Sequence, residues 1–200
     1  MKKINFIFGT MLFVLLSFGL SSTAAAQEKQ TFTGTVVSYG TIRDSRVRTG
    51  TFTLTINGTT SDDQAQEYLG ILQQGGQNDV LSAIRKNELG RFSIGENIGV
   101  PVNVVRESTD GTTRHIFIVF ERWTQFAEYR GGYRSLDYPF GVIDLSIDEK
   151  TGKGDGTYIA AAQIRWRKDK KSNEYQVEIE NFATYPARLI GVEWRGRKNS

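Results

Sequence analysis

The run His115-Ile-Phe-Ile-Val-Phe120 constrains the chain more than any other stretch. Side chains alternate across a strand, so Ile116, Ile118 and Phe120 occupy one face while His115, Phe117 and Val119 occupy the other. A strand apolar on one face is satisfied by a single core, whereas this one needs cover twice. The run is far too short to cross a bilayer as a helix. It therefore asks for a β core on one side and a second layer on the other.

The remainder of the chain supplies both. Phe32, Gly34 and Val36 alternate with threonines, and Phe52, Leu54 and Ile56 do the same after a segment holding Arg43, Arg46 and Arg48. After Asn57-Gly58 the period changes from two to that of a helix. Ser61 and Gln64 form a capping box, Asp62 and Asp63 favour the helix N-terminus, and Ala65, Tyr68, Leu69 and Leu72 recur along one side. Gly75-Gly76 stops this helix; Asn78 is expected to cap a second, ended by Gly90. Neither helix is long enough to stand alone, so this helical hairpin at about 61–89 is expected to lie on the sheet.

Strand patterns resume through Phe92-Ser-Ile94, Val100 to Arg106, and the run to Phe120 after the Asp110-Gly111 turn. Ile143, Leu145 and Ile147 alternate with Asp144, Ser146 and Asp148. Beyond the glycine-rich 151–156 stretch, strict alternation places Tyr158, Ala160, Ala162, Ile164 and Trp166 on one face. Tyr175, Val177 and Ile179 oppose Gln176, Glu178 and Glu180, and Arg188 to Trp194 is the last strand. The expected fold is mainly β with a small α insertion: an antiparallel β-barrel or barrel-like sandwich of about eight to ten strands.

Destination is read from the start of the chain. Lys2 and Lys3 precede an apolar stretch that ends in Ser21-Ser-Thr-Ala-Ala-Ala26, the pattern of a secretory signal peptide over residues 1–26. Residues 27–200 then form a single domain, exported to the periplasm or outside the cell, with no membrane span after signal cleavage. The net charge of +3 includes the two leader lysines, so the remaining chain is close to neutral and offers no electrostatic footprint for nucleic acid. There is no cysteine, which excludes disulfides and thiol chemistry and leaves stability to burial.

The segment from Arg122 to Phe140 is the candidate recognition site. It interleaves Trp123, Phe126, Tyr129, Tyr133 and Tyr138 with Arg122, Arg130 and Arg134. Rings offer contact area at low ordering cost, and arginine forks or Asp137 orient polar groups. The residues assigned to ligand binding are Trp123, Tyr129, Arg130, Tyr133, Arg134, Asp137 and Tyr138. Gly131-Gly132 allows a sharp turn or a ligand close to the backbone. The competing reading is a flap whose rings plug one end of a barrel.

Catalytic and cofactor signatures are lacking, and no cofactor is expected. The single histidine, His115, rules out a zinc site built on three histidines of one chain and is expected to be a packed or edge residue. No Gly-x-Ser-x-Gly elbow accompanies it. The 150–156 stretch lacks the order of a phosphate loop and the oxygen ligands of a calcium loop. Three functions follow in order: a non-catalytic binding or accessory domain for a small amphipathic ligand, glycan or partner segment; a hydrolase using carboxylates such as Asp137 and Glu128; and a structural protein docked to an envelope partner.

Overall fold

A computed structural model describes residues 29–39, 46–124, 126–168, 175–182 and 185–196. The expected signal peptide lies outside the described residues. Ten strands are present among the described residues: β1 (Gln30–Ser38), β2 (Arg48–Ile56), β3 (Gly90–Ile94), β4 (Val100–Val102), β5 (Val104–Asp110), β6 (Thr113–Glu121), β7 (Phe140–Asp148), β8 (Lys153–Lys168), β9 (Tyr175–Asn181) and β10 (Ala187–Arg195). Helices α1 (Asp62–Gly75) and α2 (Gln77–Ile84) are inserted between β2 and β3, and the short α3 (Phe126–Gly131) lies between β6 and β7. No helix among the described residues is long and apolar enough to cross a membrane.

Every ladder is antiparallel, in the order β4-β3-β2-β1-β10-β8-β7-β6-β5. The path nearly closes because β4 and β5 are successive halves of one bent strand, β4 pairing with β3 and β5 with β6. Asn103 sits at the bend. Its backbone N–H donates to Val119 O (3.2 Å), its side-chain oxygen accepts from Glu121 N (2.9 Å), and its Nδ2 donates to Asn87 O (2.7 Å). Thr60 covers the open edge of β5 with two bonds to Val105, one through the backbone (2.8 Å) and one through Oγ1 (3.0 Å). A nearly closed barrel is thus the form that the alternation left open between barrel and sandwich, and it leaves few exposed edges.

The two faces of β6 are covered as its pattern demands. Ile116, Ile118 and Phe120 point into the barrel with Ile143, Leu145 and Ile147 of β7 and Phe32, Phe52 and Phe92 from across the sheet. Val119 points outward and packs with Phe140, Val142, Ala162 and Ile164 beneath Leu72, Val80 and Ile84 of the helices. Rings fill one end of the lumen: Phe92 stands 5.7 Å from Phe120, 5.1 Å from Tyr158 and 6.0 Å from Phe52, centroid to centroid. At the other end Arg114 projects inward, its guanidinium 4.9 Å over the Trp194 ring and bonded to Gln30 and Glu107, both at 2.7 Å.

Two local expectations are corrected, one of facing and one of helix bounds. Tyr158 and Ala162 do not share a face, because β8 carries an extra residue between its pairings Val142↔Ile159 and Phe140↔Ala162. This bulge sends Tyr158 into the barrel core, whereas Ala162, Ile164 and Trp166 meet the helices outside. A second extra residue in β10, beside Gly191 at φ 60°, similarly turns Val192 inward after Leu189. The second helix begins at Gln77 with Gly76 as its cap, so Asn78 lies inside it; the helix ends at Ile84, and Gly90 opens β3. The capping box of α1 forms as expected, Gln64 N donating to Ser61 Oγ (3.2 Å) and Ser61 N to Gln64 Oε1 (3.1 Å).

Candidate functional site

The segment between β6 and β7 is a folded excursion. Arg122 N still donates to Pro139 O (2.9 Å), extending the ladder one step, after which α3 and a 3-10 turn over Arg134–Asp137 supply their own backbone bonds. Its centre is Arg122, whose side chain is 8% exposed. The guanidinium forms a fork with Glu128, Nη1 to Oε1 at 3.0 Å and Nη2 to Oε2 at 2.7 Å. It also donates to the carbonyls of Tyr138 (2.7 Å), Ser135 (2.8 Å) and Trp123 (3.3 Å). Ser135 Oγ donates to the same Glu128 carboxylate. One buried, planar five-donor group thus ties together both ends and the middle of the excursion.

Two contacts fix this knot to the rest of the molecule. Gln77, the first residue of α2, donates through Nε2 to Asp137 O (2.9 Å) and accepts through Oε1 from Ile164 N (3.3 Å). Its side-chain amide does what a peptide group does between strands. On another side Tyr138 is buried, its hydroxyl donating to Glu180 Oε1 (2.7 Å) and its ring lying 5.1 Å from Phe182. The bond to the Glu180 carboxylate raises the Tyr138 phenol above its ordinary value, with burial acting the same way.

The seven residues singled out therefore divide. Trp123, Tyr129 and Tyr133 are 75%, 63% and 58% exposed, and Arg130, Arg134 and Asp137 are exposed with them. Tyr138 is the anchor that holds the excursion against β9. Gly132, at φ 58°, makes the expected turn. Gly131 does not leave an opening for a ligand, because the Tyr133 ring covers it: an added Cβ would lie 2.9 Å from that ring. Trp123 and the exposed tyrosines do not plug the barrel, whose lumen is filled by Phe52, Phe92, Phe120 and Tyr158 instead.

The carboxylates of this region and of the neighbouring strands are also separated by role. Glu128 gives both oxygens to Arg122, while Asp137 faces solvent. Glu178 and Glu180 pair with Arg167 (3.0 Å) and Arg165 (3.2 Å). Asp148 closes the β7–β8 turn, and the backbone N–H of Thr151 (2.7 Å) holds its carboxyl below the usual value. His115 Nδ1 lies 3.2 Å from Ser146 Oγ on the outer face. Among the described residues no three His, Cys, Asp or Glu side chains are grouped to hold a metal ion.

Sequence reasoning placed Arg122 among the arginines of the segment without its buried, positioning role, and missed Gln77. A cation at the end of a doubly apolar strand was the available signal for Arg122; nothing in the local pattern marks Gln77. No protein-family model, no curated protein and no solved structure matches the chain.

Proposed function

We propose that this protein is an exported, non-catalytic binding or accessory domain that recognises its target on the outer face of the Arg122–Phe140 excursion. Trp123, Tyr129 and Tyr133 are the contact rings, and Arg130, Arg134 and Asp137 are the polar groups around them. The observation that carries this reading is the division within the segment: a buried ion pair below, three large rings held outward above. Left to packing alone, such rings would add to the core, where each buries a large apolar area. Holding them in water on a hydrogen-bonded base prepares a surface at little further ordering cost.

The filled lumen favours a target laid across the rings over one enclosed in the barrel, namely a glycan ring or an amphipathic partner segment, with an envelope protein as one source of the latter. Export rests on the leader-like first 26 residues. The test is a fluorescence titration against a panel of soluble oligosaccharides and detergent-solubilised envelope fractions. Trp123 is the only strongly exposed tryptophan among Trp123, Trp166 and Trp194, so saturable quenching should vanish in Trp123→Phe and weaken at least about tenfold in Tyr133→Ala, the loss expected of a contact aromatic. Quenching that survives both changes would remove the assignment.

A further inference from the structure

We propose that the edge of β8 beyond Ile164 is a second binding site, which takes an extended polypeptide segment of alternating apolar and acidic residues as an added strand. The site is separate from the excursion surface and does not rest on that reading. In the β8–β9 ladder, Ala162 pairs with Asn181 and Phe182 N donates to Ala161 O (3.0 Å), so the odd-numbered residues of β8 turn their peptide groups toward β9. Those of Ile164, Trp166 and Lys168 face the opposite way. The bond from Ile164 N to Gln77 Oε1 runs in that direction.

On that side β7 stops pairing at Ala162, and among the described residues no strand accompanies Trp166 or Lys168. A cleft of about 320 Å³ lies there instead, between Leu72, Gln73, Gly76 and Gln77 at the helix corner and Ile164 and Trp166 on the strand. Gln77 already occupies the first rung with a side-chain amide, leaving the following rungs to a guest backbone.

The chemistry of the guest is displayed by β9 on the other edge. There Ile164 and Trp166 stand opposite Ile179 and Val177, while Arg165 and Arg167 bind Glu180 and Glu178. A strand on the open edge meets the same two faces of β8: an apolar one continued by Leu72, and a basic one whose arginines remain 42% and 53% exposed. Alternating apolar and acidic side chains satisfy both. Running antiparallel, like every ladder in the molecule, the guest turns the N–H groups of its apolar residues toward β8.

The test uses the peptide acetyl-Glu-Val-Glu-Ile-Glu-Val-Glu-amide against the full chain, followed by backbone amide NMR. The Trp166 and Lys168 amides should shift saturably and exchange more slowly. N-methylation of the apolar residues should weaken binding about tenfold or more by deleting the facing donors, and N-methylation of the glutamates should change it by less than about twofold. Trp123→Ala should bind the peptide unchanged. Equal loss from both methylation patterns, shifts centred on the excursion, or no saturable shift would overturn the proposal. So would sedimentation showing concentration-dependent self-association that protects Trp166, which would assign this edge to a second copy of the chain.

Discussion

Arg122 holds more of the 122–140 excursion in place than any ring within it. A buried guanidinium that loses its partner, or a buried carboxylate that loses its arginine, costs far more than the intact pair contributes. Arg122→Ala and Glu128→Ala should each lower unfolding stability by about 3 kcal/mol in urea, and the double variant should cost much less than their sum. Single losses below about 1 kcal/mol would mark the pair as effectively solvated. Tyr158 gives a second handle at this scale. Burial among Phe92 and Phe120 pushes its phenol up to about 12, an effect that Arg122 partly opposes. The unfolded chain releases the same proton near about 10. Below that pH both states are protonated and the contribution is whole. Between the two values only the folded state keeps its proton, so stability should fall by on the order of 2–3 kcal/mol as pH rises from about 10 to 12. Tyr158→Phe should remove that part of the slope, read by denaturation at stepped alkaline pH. Sequence located the exposed rings because composition alone exposes an aromatic cluster. It did not separate Tyr138, a buried anchor, from Tyr133, a displayed ring, since that difference depends on Glu180 and Phe182 more than forty residues away.

At the scale of elements, alternation is reliable until a strand gains a residue. The strands β1, β2, β6 and β7 face as their period-two patterns predict, and the doubly apolar β6 correctly demands the helices outside. The one error of facing falls at a bulge, in β8 before Ala162, and β10 carries a second bulge at Gly191. The β8 bulge has no local signature, because Ala160-Ala-Ala162 fits either face. The β10 bulge does have one, a glycine within an apolar strand, and its backbone at φ 60° is the left-handed conformation that side chains resist. An added Cβ at Gly191 meets nothing within 4 Å, so Gly191→Ala isolates the backbone term. It should cost about 1–2 kcal/mol in urea denaturation without altering the far-ultraviolet spectrum; an unchanged midpoint would show that β10 can relax out of the bulge. The helix boundaries were missed for a related reason. Gln77 serves α2 with its backbone and bridges Asp137 to Ile164 with its side chain, a tertiary duty that overrides the local preference for Asn78 as a cap.

For the whole molecule, the important fact is that the barrel is full. A ring of about eight paired positions has an interior that side chains can occupy completely or surrender to one small ligand. Phe32, Phe52, Phe92 and Phe120, all 3% exposed or less, take the first course. Phe92 touches three of the other rings at that end, so Phe92→Ala should lose about 3–5 kcal/mol of stability and leave a dry void. The variant should then gain affinity for benzene or indole, measurable by calorimetry, that the parent lacks; equal uptake by the parent would mean that its rings part readily. The architecture was legible in outline from strand number, turns and absent cysteines. Closure was not, because it depends on Asn103 bending one strand into two ladders, a choice no periodicity records.

The pairing of Thr31 with Arg195 puts the seam of the molecule between its earliest and latest strands. A chain emerging from a ribosome can pair its other strands first, yet Phe32 and Val36 of β1 remain along an open margin until β10 arrives. The same seam sets the first residues of β1 beside the last of β10, so a chain cut back to these two strands can be spliced there with a short linker and the ring reopened at the 149–152 turn. Such a permuted chain would keep every wall contact while moving the last stitch to a different place.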